Sequence, residues 1–515
     1  MLDASRAPRS LFAGFDASTQ GVTAVVIECG NNEPARVVFE TVINYDRDLP
    51  QYGTRHGVLP SDDPHVAVAP PAMWAEALEM AMARIASSGL DLSQIRAISG
   101  CAQQHGTVYL DEAGGFSRPL SPIWQDASTS VECDEITRAL GGEDAIARLT
   151  GSRAFERFAG PQIRRFAKTQ PHDYTRTRRI HLISSFLCSS LLGSDAPIDP
   201  GDGSGMSLMN LVTHDWDDGA LDATAPDLRA KLPAIAVSDL VAGTLGVHWQ
   251  QRYGFPAAAV VVWTGDNSSS MVGSGAVEEG MLAISLGTSD TIFGPMREPR
   301  VSANGEGHVF GSPTGGYMGI TVFANGSLAR ERVRDQYGMN WFLFSRALHS
   351  TSPGNDGALM LPWFGPEITP HVINAGVRRL RLDEVEAARN VRAVVEGQMM
   401  AMATHAGWMG VNVSTIYATG GASGNRDVLQ IMADAFSARV YPSPVRNSAS
   451  LGAALRAWHA YDHAHGGAIT WSEVVRDLST PDPVTAIEPG EAATTVYPQL
   501  KRAYAAFESL SRAHQ

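Results

Sequence analysis

The chain has 515 residues, of which 44% are hydrophobic and 18% are charged, and its formal net charge is −14. This length favours two or three domains, and the apolar content is high enough for large cores and excludes general disorder. The acidic balance argues against a nucleic-acid partner, which would require a basic stripe. It still allows an anionic small ligand, because backbone amides, a metal ion and a few local cations can hold one.

The cysteines (Cys29, Cys101, Cys133 and Cys188) lie far apart, without a C-x-x-C pair or a histidine–cysteine cluster. They indicate neither a disulfide framework nor a zinc site, and they fit a reducing compartment. The first residues lack the apolar core of a signal peptide, and no run of about 18 apolar residues could span a membrane. These absences predict a cytoplasmic protein with no membrane partner.

The first strong pattern in the chain, at residues 11–27, predicts two strands joined by a polar turn. The turn contains Asp16, Ser18, Thr19 and Gln20, which are groups able to meet a phosphate or a metal-bound water. An ordinary hairpin loop explains such a stretch equally well. Apolar residues at helical spacing then predict a helix over residues 73–86.

Polar residues next follow a predicted buried strand at residues 95–100. The segment 101–106 carries Gln103, Gln104 and His105 and leads into a second strand from Thr107. These side chains offer hydrogen-bond donors and acceptors but lack metal-binding spacing, and a lone histidine is more often structural than catalytic. The segment 122–126 repeats this pattern of an apolar stretch that ends in polar groups.

Two further segments have weaker signals. Either arginine of residues 152–157, Arg153 or Arg157, could be a solvated surface charge. Residues 201–205 lack the third glycine of a G-x-G-x-x-G fingerprint, so they do not predict a dinucleotide site.

In the middle of the chain, the apolar run 260–263 ends abruptly in Thr264, Gly265, Asp266 and Asn267. This pattern is typical of a buried strand that delivers a carboxylate to its carboxyl end, where ligands of α/β sheets bind. Phosphorylation of an alcohol needs such a carboxylate as a general base. Taken alone, the segment would be read as a turn or a helix cap.

The second half of the chain repeats a pattern of the first, since residues 281–293 again predict a strand, a Gly-Thr-Ser turn and a second strand. Residues 415–418 then predict a strand that runs into the glycine-rich segment 419–425 and a helix with Leu429, Met432 and Phe436 on its buried face. Strand, glycine-rich turn and helix amino terminus together make an anion and nucleotide site, although a Gly-Gly pair alone signals only a turn. Two related α/β domains are expected, with a boundary shortly after Asp266.

The last part of the chain predicts two helices. Residues 448–455 predict a helix with a face of small residues for close packing, and residues 498–512 predict a terminal helix.

Together, these motifs resemble the FGGY family of carbohydrate kinases over roughly residues 11–460. Residues 14–20 resemble its first phosphate loop, residues 287–289 its second, residues 419–423 its adenosine loop and residues 264–267 the segment with the catalytic base. The resemblance implies two ribonuclease H-like, actin-like ATPase domains that face each other across a central cleft. It implies an N-terminal sugar-binding domain at 1–277, a C-terminal nucleotide-binding domain at 278–465 and a C-terminal extension at 466–515.

Within the family, the sequence is most similar to the xylulose kinase branch, particularly its animal-like members. Residues 103–106 match the ketopentose-binding turn, and residues 45–50, 152–158 and 203–206 also resemble that branch. The resemblance implies substrate contacts from five residues: Gln104, His105, Arg157, Asp266 and Asn267. It implies nucleotide contacts from Ser18, Thr19, Gly287, Thr288, Trp341, Gly420, Gly421, Ala422 and Asn425, and a metal-facing role for Asp16.

The expected reaction is ATP-dependent phosphorylation of D-xylulose at its terminal hydroxyl, with Asp266 as general base and Mg²⁺ as the metal. An ordinary aspartate, with a pKa of about 3.9, can serve because proton removal comes late in a loose transition state. Two alternatives stay open: a kinase of the same family for ribulose, a pentitol or another polyol, and an actin-like switch ATPase. The expected partners are a ketopentose and ATP, with no nucleic acid, and a homodimer is one assembly that stays open.

Overall fold

The computed structural model describes residues 9–30, 33–302 and 305–513. Its chain divides into two compact units. The first contains the described residues up to Gly275 together with Val309–Met318 and Arg446–Ser479, and the second contains Ala276–His308, Gly319–Val445 and the described residues from Thr480 onward. The domain boundaries drawn from the sequence at 277 and 465 stay a prediction.

The strands, in chain order, are β1 (Ser10–Ala17), β2 (Gly21–Gly30), β3 (Glu33–Asn44), β4 (Val68–Ala69), β5 (Ile95–Ala102), β6 (Thr107–Asp111), β7 (Ser121–Pro122), β8 (Thr177–Leu182), β9 (Met209–Asn210), β10 (Asp215–Trp216), β11 (Val241–Thr244), β12 (Ala259–Val261), β13 (Thr264–Gly265), β14 (Met281–Leu286), β15 (Asp290–Met296), β16 (Gly307–Gly311), β17 (Tyr317–Phe323), β18 (Leu359–Leu361), β19 (Arg378–Leu380), β20 (Thr415–Thr419) and β21 (Arg439–Pro442).

The α-helices are α1 (Tyr45–Asp48), α2 (Pro71–Ala86), α3 (Ser130–Ala139), α4 (Glu143–Thr150), α5 (Ala159–Thr169), α6 (Pro171–Arg176), α7 (Ile183–Leu192), α8 (Pro200–Gly203), α9 (Asp218–Thr224), α10 (Leu228–Lys231), α11 (Val247–Tyr253), α12 (Asp266–Gly273), α13 (Ser327–Gln336), α14 (Trp341–Ser350), α15 (Ala387–His405), α16 (Arg426–Phe436), α17 (Ser448–Ala464), α18 (Trp471–Val475), α19 (Ala492–Thr495) and α20 (Tyr497–Arg512). None of these helices combines the length and the apolar composition that crossing a membrane requires.

The first unit is built on a sheet with the strand order β11-β12-β5-β1-β2-β3, and β13 also pairs with β5. Strands β1, β2 and β3 form an antiparallel meander, while β5 runs parallel to β1 and both β12 and β13 run parallel to β5. The nearly continuous burial of β1 and β5 explains their long apolar runs, since strands covered on both faces lose the alternating pattern.

The second unit contains a sheet of order β16-β17-β15-β14-β20-β21. Here β14 and β15 are antiparallel, and β20 is parallel both to β14 and to β21. Its core order β17-β15-β14-β20-β21 repeats the order β3-β2-β1-β5-β12 of the first unit. The predicted α/β class with two related sheet-containing units is therefore confirmed.

Helix α17 packs directly on the central strands of the first sheet because small residues let the backbones approach. A Cβ atom on Gly14 would collide with the backbone of Ser450 and Ala454, and one on Gly452 would collide with the carbonyl oxygen of Ser269 in α12. The small-residue face predicted for residues 448–455 therefore lies against β1 and α12. This packing fixes α12, which begins at Asp266, relative to β1, which contains Asp16.

Most other elements follow the sequence pattern. Helix α2 spans Pro71–Ala86, and the apolar residues whose helical spacing predicted it are fully buried: Trp74, Leu78, Met82 and Ile85. The terminal helix α20 begins one residue before its predicted start, at Tyr497, and packs against α15 in the second unit. The four cysteines are free and buried, as expected without a disulfide framework.

Candidate active site

The candidate site of the first unit lies where three neighbouring strands end. Because β1, β5 and β13 are parallel, their carboxyl ends meet at the same edge of the sheet. In the sheet register, Cys101 of β5 pairs with Asp16 of β1 on one side and with Thr264 of β13 on the other. The segments that follow β5 and β13, with their polar side chains, therefore converge beside Asp16.

Asp266 is the first residue of α12, directly after β13. Its Oδ1 accepts hydrogen bonds from the backbone N–H of Asn267 at 2.8 Å and from the Asn267 side-chain amide at 3.1 Å. Burial raises the pKa of Asp266 to about 6, although backbone N–H groups of Asn267 and Gln104 favour its charged form. The carboxylate is therefore a stronger base than the ordinary aspartate assumed from the sequence, and at neutral pH it is still ionised.

A short hydrogen-bond chain orients the side chains next to Asp266. Asn267 Nδ2 donates to Gln104 Oε1 at 2.9 Å, and Gln104 Nε2 donates to the Gly201 carbonyl at 3.1 Å. Gly265 is required here, because a Cβ atom at this position would lie 2.5 Å from the Gln104 side chain. The structure thus brings together Gln104, Asp266 and Asn267, three of the residues predicted to contact the substrate.

His105, the next predicted substrate contact, is held in a fixed proton state. Burial, and then the positive charge of Arg157, lower its pKa to about 3, so the imidazole is neutral. Its Nδ1 lies 2.9 Å from the Gly205 carbonyl oxygen, which can only accept, so Nδ1 donates and Nε2 carries the free lone pair. With φ of 74°, His105 has a left-handed backbone that is uncommon outside glycine and that clusters at functional sites.

Arg157 belongs to the same group of side chains. Its guanidinium lies 4.8 Å from the ring centroid of Phe155 and 5.4 Å from that of Phe158, and Phe158 in turn stacks on His105 at 4.4 Å. Burial lowers the pKa of Arg157, although the group stays charged at neutral pH. Arg153, the other arginine of this segment, forms a partly exposed ion pair with Glu143 at 3.0 Å.

Asp16 provides a second carboxylate at the sheet edge. Burial, and then the negative charge of Asp266, raise its pKa to about 7, while the Cys101 thiol donates to Asp16 Oδ1 at 3.6 Å and weakly opposes the shift. Two neighbouring carboxylates that form no ion pair with any residue the structure describes suit a hard divalent ion with oxygen ligands. The residues present therefore fit a divalent metal ion, the role that the family resemblance implies for Asp16.

The turn after β1 contains Ser18 and Thr19, both predicted to contact nucleotide. Ser18 closes the turn, since its backbone N–H donates to the Gly21 carbonyl at 2.9 Å and its hydroxyl donates to the same oxygen at 3.1 Å. The Thr19 hydroxyl accepts from Trp124 Nε1 at 2.8 Å and lies 3.4 Å from Gln103 Oε1. The turn is therefore linked through side chains to the segment after β5 and to Trp124.

The structure adds residues that the sequence did not single out. Asp202 is buried, accepts a hydrogen bond from the Ser184 hydroxyl, and has its pKa raised by burial and by the charges of Asp199 and Asp266. Trp124, 43% exposed, borders the turn at Thr19. Their only sequence signals are an Asp-Pro-Gly-Asp run at residues 199–202 and an aromatic residue after a short apolar stretch.

Two glycines, Gly201 and Gly205, also lie beside the site. They belong to the segment that does not match a dinucleotide fingerprint. A Cβ atom on Gly201 would lie 2.6 Å from Thr264 Oγ1, and one on Gly205 would lie 2.6 Å from His105 Nδ1. These glycines therefore let the segment approach the side chains around the site closely.

The second unit repeats this edge geometry with the ends of β14 and β20. These strands are parallel, with Ser285 beside Thr419, so the turn with Gly287 and Thr288 adjoins the loop that starts at Gly420. Gly420 has φ of 85°, and a Cβ atom there would lie 2.6 Å from the Leu286 carbonyl oxygen. Only glycine fits at this position. Its close approach to Leu286 brings the two predicted nucleotide segments together.

The loop that continues through Gly421 and Ala422 ends at Asn425, the N-cap of α16. The Asn425 side chain accepts from the N–H groups of Asp427 and Val428 at 3.0 and 3.3 Å and donates to Ser345 Oγ at 2.7 Å. The cap and the bond to Ser345 therefore fix the end of this loop between α16 and α14.

Trp341, the remaining predicted nucleotide contact, is the first residue of α14. It lies one helical turn before Ser345, on the same face. The indole is 46% exposed, and the Arg334 guanidinium lies 4.5 Å from its ring centroid. The structure therefore presents Trp341 on the helix face that is tied to Asn425, and its contact with a purine stays a prediction.

Comparison with known proteins agrees with this geometry. The model of the FGGY family of carbohydrate kinases matches with its N-terminal domain at residues 14–273 and with its C-terminal domain at residues 282–461. The chain is 40% identical to the xylulose kinase of Rattus norvegicus, over 98% of this chain and 98% of that protein.

Solved structures share the fold. The crystal structure of a ligand-bound xylulose kinase from Lactobacillus acidophilus superposes with a TM-score of 0.83 at 19% identity and covers 98% of this chain and 99% of its own. A gluconate kinase from the same organism matches equally well, with a TM-score of 0.83, 19% identity and 98% of each chain covered, so the fold does not decide the sugar. With both family domains present and a relative 40% identical along almost the whole chain, this protein belongs to the FGGY family of carbohydrate kinases.

Proposed function

We propose that the protein is an ATP-dependent xylulose kinase that converts D-xylulose to D-xylulose 5-phosphate. Family membership supports sugar phosphorylation, and the xylulose kinase of Rattus norvegicus supports the choice of sugar. The observation that carries the mechanism is the Asp266 carboxylate at the end of β13, where burial raises its pKa to about 6. A general base works best when its pKa lies near the operating pH.

Asp266 removes the proton of the terminal hydroxyl while that oxygen attacks the γ-phosphorus of ATP. The phosphoryl group passes to the sugar oxygen, and ADP leaves with the electrons of the broken bond. Since the phosphoryl-transfer transition state is loose, the main demand on the protein is to hold the nucleophile in line with the leaving oxygen.

The neighbouring side chains orient the sugar for this attack. His105 is neutral and offers Nε2 as an acceptor for a sugar hydroxyl, because its Nδ1 proton is used by the Gly205 carbonyl. Asn267 and Gln104, already joined by a 2.9 Å hydrogen bond, offer further polar groups beside Asp266. Arg157, packed on Phe155 and Phe158, supplies a positive charge and fixed donors.

The negative charge of the phosphates is met by backbone amides and by a metal ion. The turns at Ser18–Thr19 and Gly287–Thr288 contain no lysine, so their N–H groups take that role. Asp16 would hold Mg²⁺, largely through water, and the ion would offset charge on the phosphoryl oxygens. The adenosine lies against Gly420, Gly421, Ala422, Asn425 and Trp341.

We further propose that the protein acts in the cytoplasm without a nucleic-acid or membrane partner. The net charge of −14 and the lack of a membrane-spanning helix among the described residues support this assignment. A homodimer is a prediction that sedimentation velocity can test.

The substitution Asp266→Asn tests the mechanism, because it keeps the size of the side chain and removes the base. We expect kcat for D-xylulose phosphorylation to fall by about 10² to 10⁴, with ATP affinity measured by calorimetry unchanged. Asp62→Asn, which alters an exposed carboxylate of the same unit, is the matched control and should keep full activity. Full sugar phosphorylation by Asp266→Asn would show that the base has been wrongly assigned.

A further inference from the structure

The carboxyl-terminal part of α17 and a neighbouring loop bring together an unassigned group of side chains that can ligate a metal. His459 and His463 lie four residues apart on one face of α17, with ring centroids 4.1 Å from each other. Asp239, in the loop before β11, joins them, and the candidate ligand atoms of the three residues all lie within 4.8 Å of one another.

The loop with Asp239 is fixed in place by the same helix. Arg456, one turn before His459, donates from Nη2 to the carbonyl oxygens of Ser238 and Val262 at 2.9 and 2.8 Å. This buried arginine thus ties the residue before Asp239 to α17. This contact fixes the backbone of the loop beside α17, and so keeps Asp239 close to the two histidines.

The imidazole of His459 is buried, and one of its nitrogens lacks a hydrogen-bond partner among the described residues. Its side chain is only 5% exposed, and Nδ1 is buried without a hydrogen-bond partner among the described residues. The ring is clamped against Trp471, the first residue of α18, with ring centroids 3.8 Å apart and planes 9° apart. A buried polar atom without a partner costs free energy, so it points to a ligand that supplies the missing contact.

His463 is oriented as metal-binding histidines are. Its Nε2 lies 2.9 Å from the Ile469 carbonyl oxygen, so Nε2 donates a proton there and Nδ1 keeps its lone pair. A carbonyl that accepts from the second ring nitrogen fixes the tautomer in which the first can bind a metal.

We propose that His459, His463 and Asp239 form a site for a divalent transition-metal ion of the zinc class. Two imidazole nitrogens and one carboxylate oxygen form a common ligand set for zinc, and water completes the tetrahedron. Tetrahedral ligands lie about 3.3 Å apart, and a rotation of the exposed Asp239 side chain together with a small shift of the His463 ring would bring the ligand atoms from within 4.8 Å to that spacing.

The site is separate from the sugar-kinase chemistry. The Ala449 carbonyl oxygen, at the start of α17, lies 3.6 Å from Cys101 Sγ beside Asp16. His459 lies ten residues, about 15 Å, further along the helix. A bound ion would therefore stabilise the packing of α17 against the Asp239 loop and would take no part in the reaction.

The test is Zn²⁺ binding by the full-length protein after chelator treatment, without ATP or sugar, measured by competition with a chromogenic chelator. We expect one equivalent of Zn²⁺ on the wild type, and an affinity at least about tenfold lower for His463→Gln and for Asp239→Asn. Because both residues are exposed, these variants should fold. Zn²⁺ should also raise the melting temperature of the wild type more than that of either variant.

His465→Gln is the matched control, since His465 is an exposed histidine two residues from His463 that lies outside the cluster. It should bind Zn²⁺ as tightly as the wild type. No stoichiometric binding by the wild type, or equal affinity of His463→Gln and the wild type, would overturn the proposal.

Discussion

His105 shows at the scale of a single residue how burial and one hydrogen bond decide a chemical role. The Gly205 carbonyl takes the Nδ1 proton, and burial together with Arg157 keeps the ring neutral, so Nε2 can accept from a sugar hydroxyl. A cationic imidazole in this place would instead donate from both nitrogens.

His105→Gln should therefore weaken sugar binding. Loss of one neutral hydrogen bond is worth about 0.5 to 1.5 kcal/mol, which corresponds to a rise of about 2- to 10-fold in KM for D-xylulose. Steady-state kinetics with each substrate varied in turn measure this effect, and KM for ATP should stay constant as the internal control. An unchanged KM for the sugar would remove His105 from the substrate site.

Some site residues were predictable from the sequence because their signals are local. Asp266 follows a β-branched run and a glycine, and Gln104 and His105 follow another predicted buried strand. That these residues belong to one substrate site was implied only by the family resemblance. The hydrogen bond between Trp124 and Thr19 joins residues 105 positions apart, and no local pattern marks it. The raised pKa of Asp266 likewise depends on burial by residues that are distant in the chain.

At the scale of elements, the contact of α12 with α17 depends on glycine. A Cβ atom at position 452 would collide with the Ser269 carbonyl, which is helix backbone and cannot rotate away. Gly452→Ala should lower the free energy of unfolding by about 1 to 3 kcal/mol, as overpacking does.

Urea denaturation followed by circular dichroism measures this loss. Gly407→Ala is the matched control, because a Cβ atom there meets no heavy atom within 4 Å, and this variant should be as stable as the wild type. Equal stability of Gly452→Ala and the wild type would refute the close packing of α17 on α12.

Helix α20 is attached to the second unit by a buried ionic cluster. His405, at the end of α15, lies 3.0 Å from Glu306 and 2.9 Å from Glu508 of α20. Burial opposes the charge of His405, but the hydrogen bonds to Glu306 and Glu508 outweigh it and raise its pKa to about 9. Glu306 and His405 lie 99 residues apart in the chain, so no local sequence pattern marks their contact.

This cluster should make stability depend on pH. Since folding raises the pKa of His405 from 6.5 to about 9, its contribution is fully present below pH 6.5 and is lost as the pH rises through about 9. The shift corresponds to at most about 3 kcal/mol. In urea denaturation, His405→Gln should remove this part of the decrease between pH 6.5 and 9.

The exposed His65 supplies the control, since His65→Gln should keep the pH dependence of the wild type. If His405→Gln loses stability with pH as steeply as the wild type does, the cluster does not contribute as described.

At the scale of the whole molecule, the repeated strand order explains why the two halves of the sequence show similar patterns. The pattern at residues 281–293, which repeats that at residues 11–27, predicted two related α/β units. The two sheets share the order of five strands around β1 and β14. The return of residues 446–479 to the first unit was not predictable, because it depends on close contacts between small residues and not on the period of the hydrophobic pattern. The sequence also left open that residues 480–513 pack onto the second unit.

The most direct test of the proposed function is ATP consumption by the purified protein with Mg²⁺ against a panel of sugars. The panel contains D-xylulose, D-ribulose, a pentitol, gluconate, glycerol and no sugar, with Asp266→Asn as the control for contaminating kinases. We predict strong turnover with D-xylulose, little with the other compounds and almost none without sugar. Turnover only with another polyol, or ATP hydrolysis that does not depend on a sugar, would contradict the assignment as a xylulose kinase.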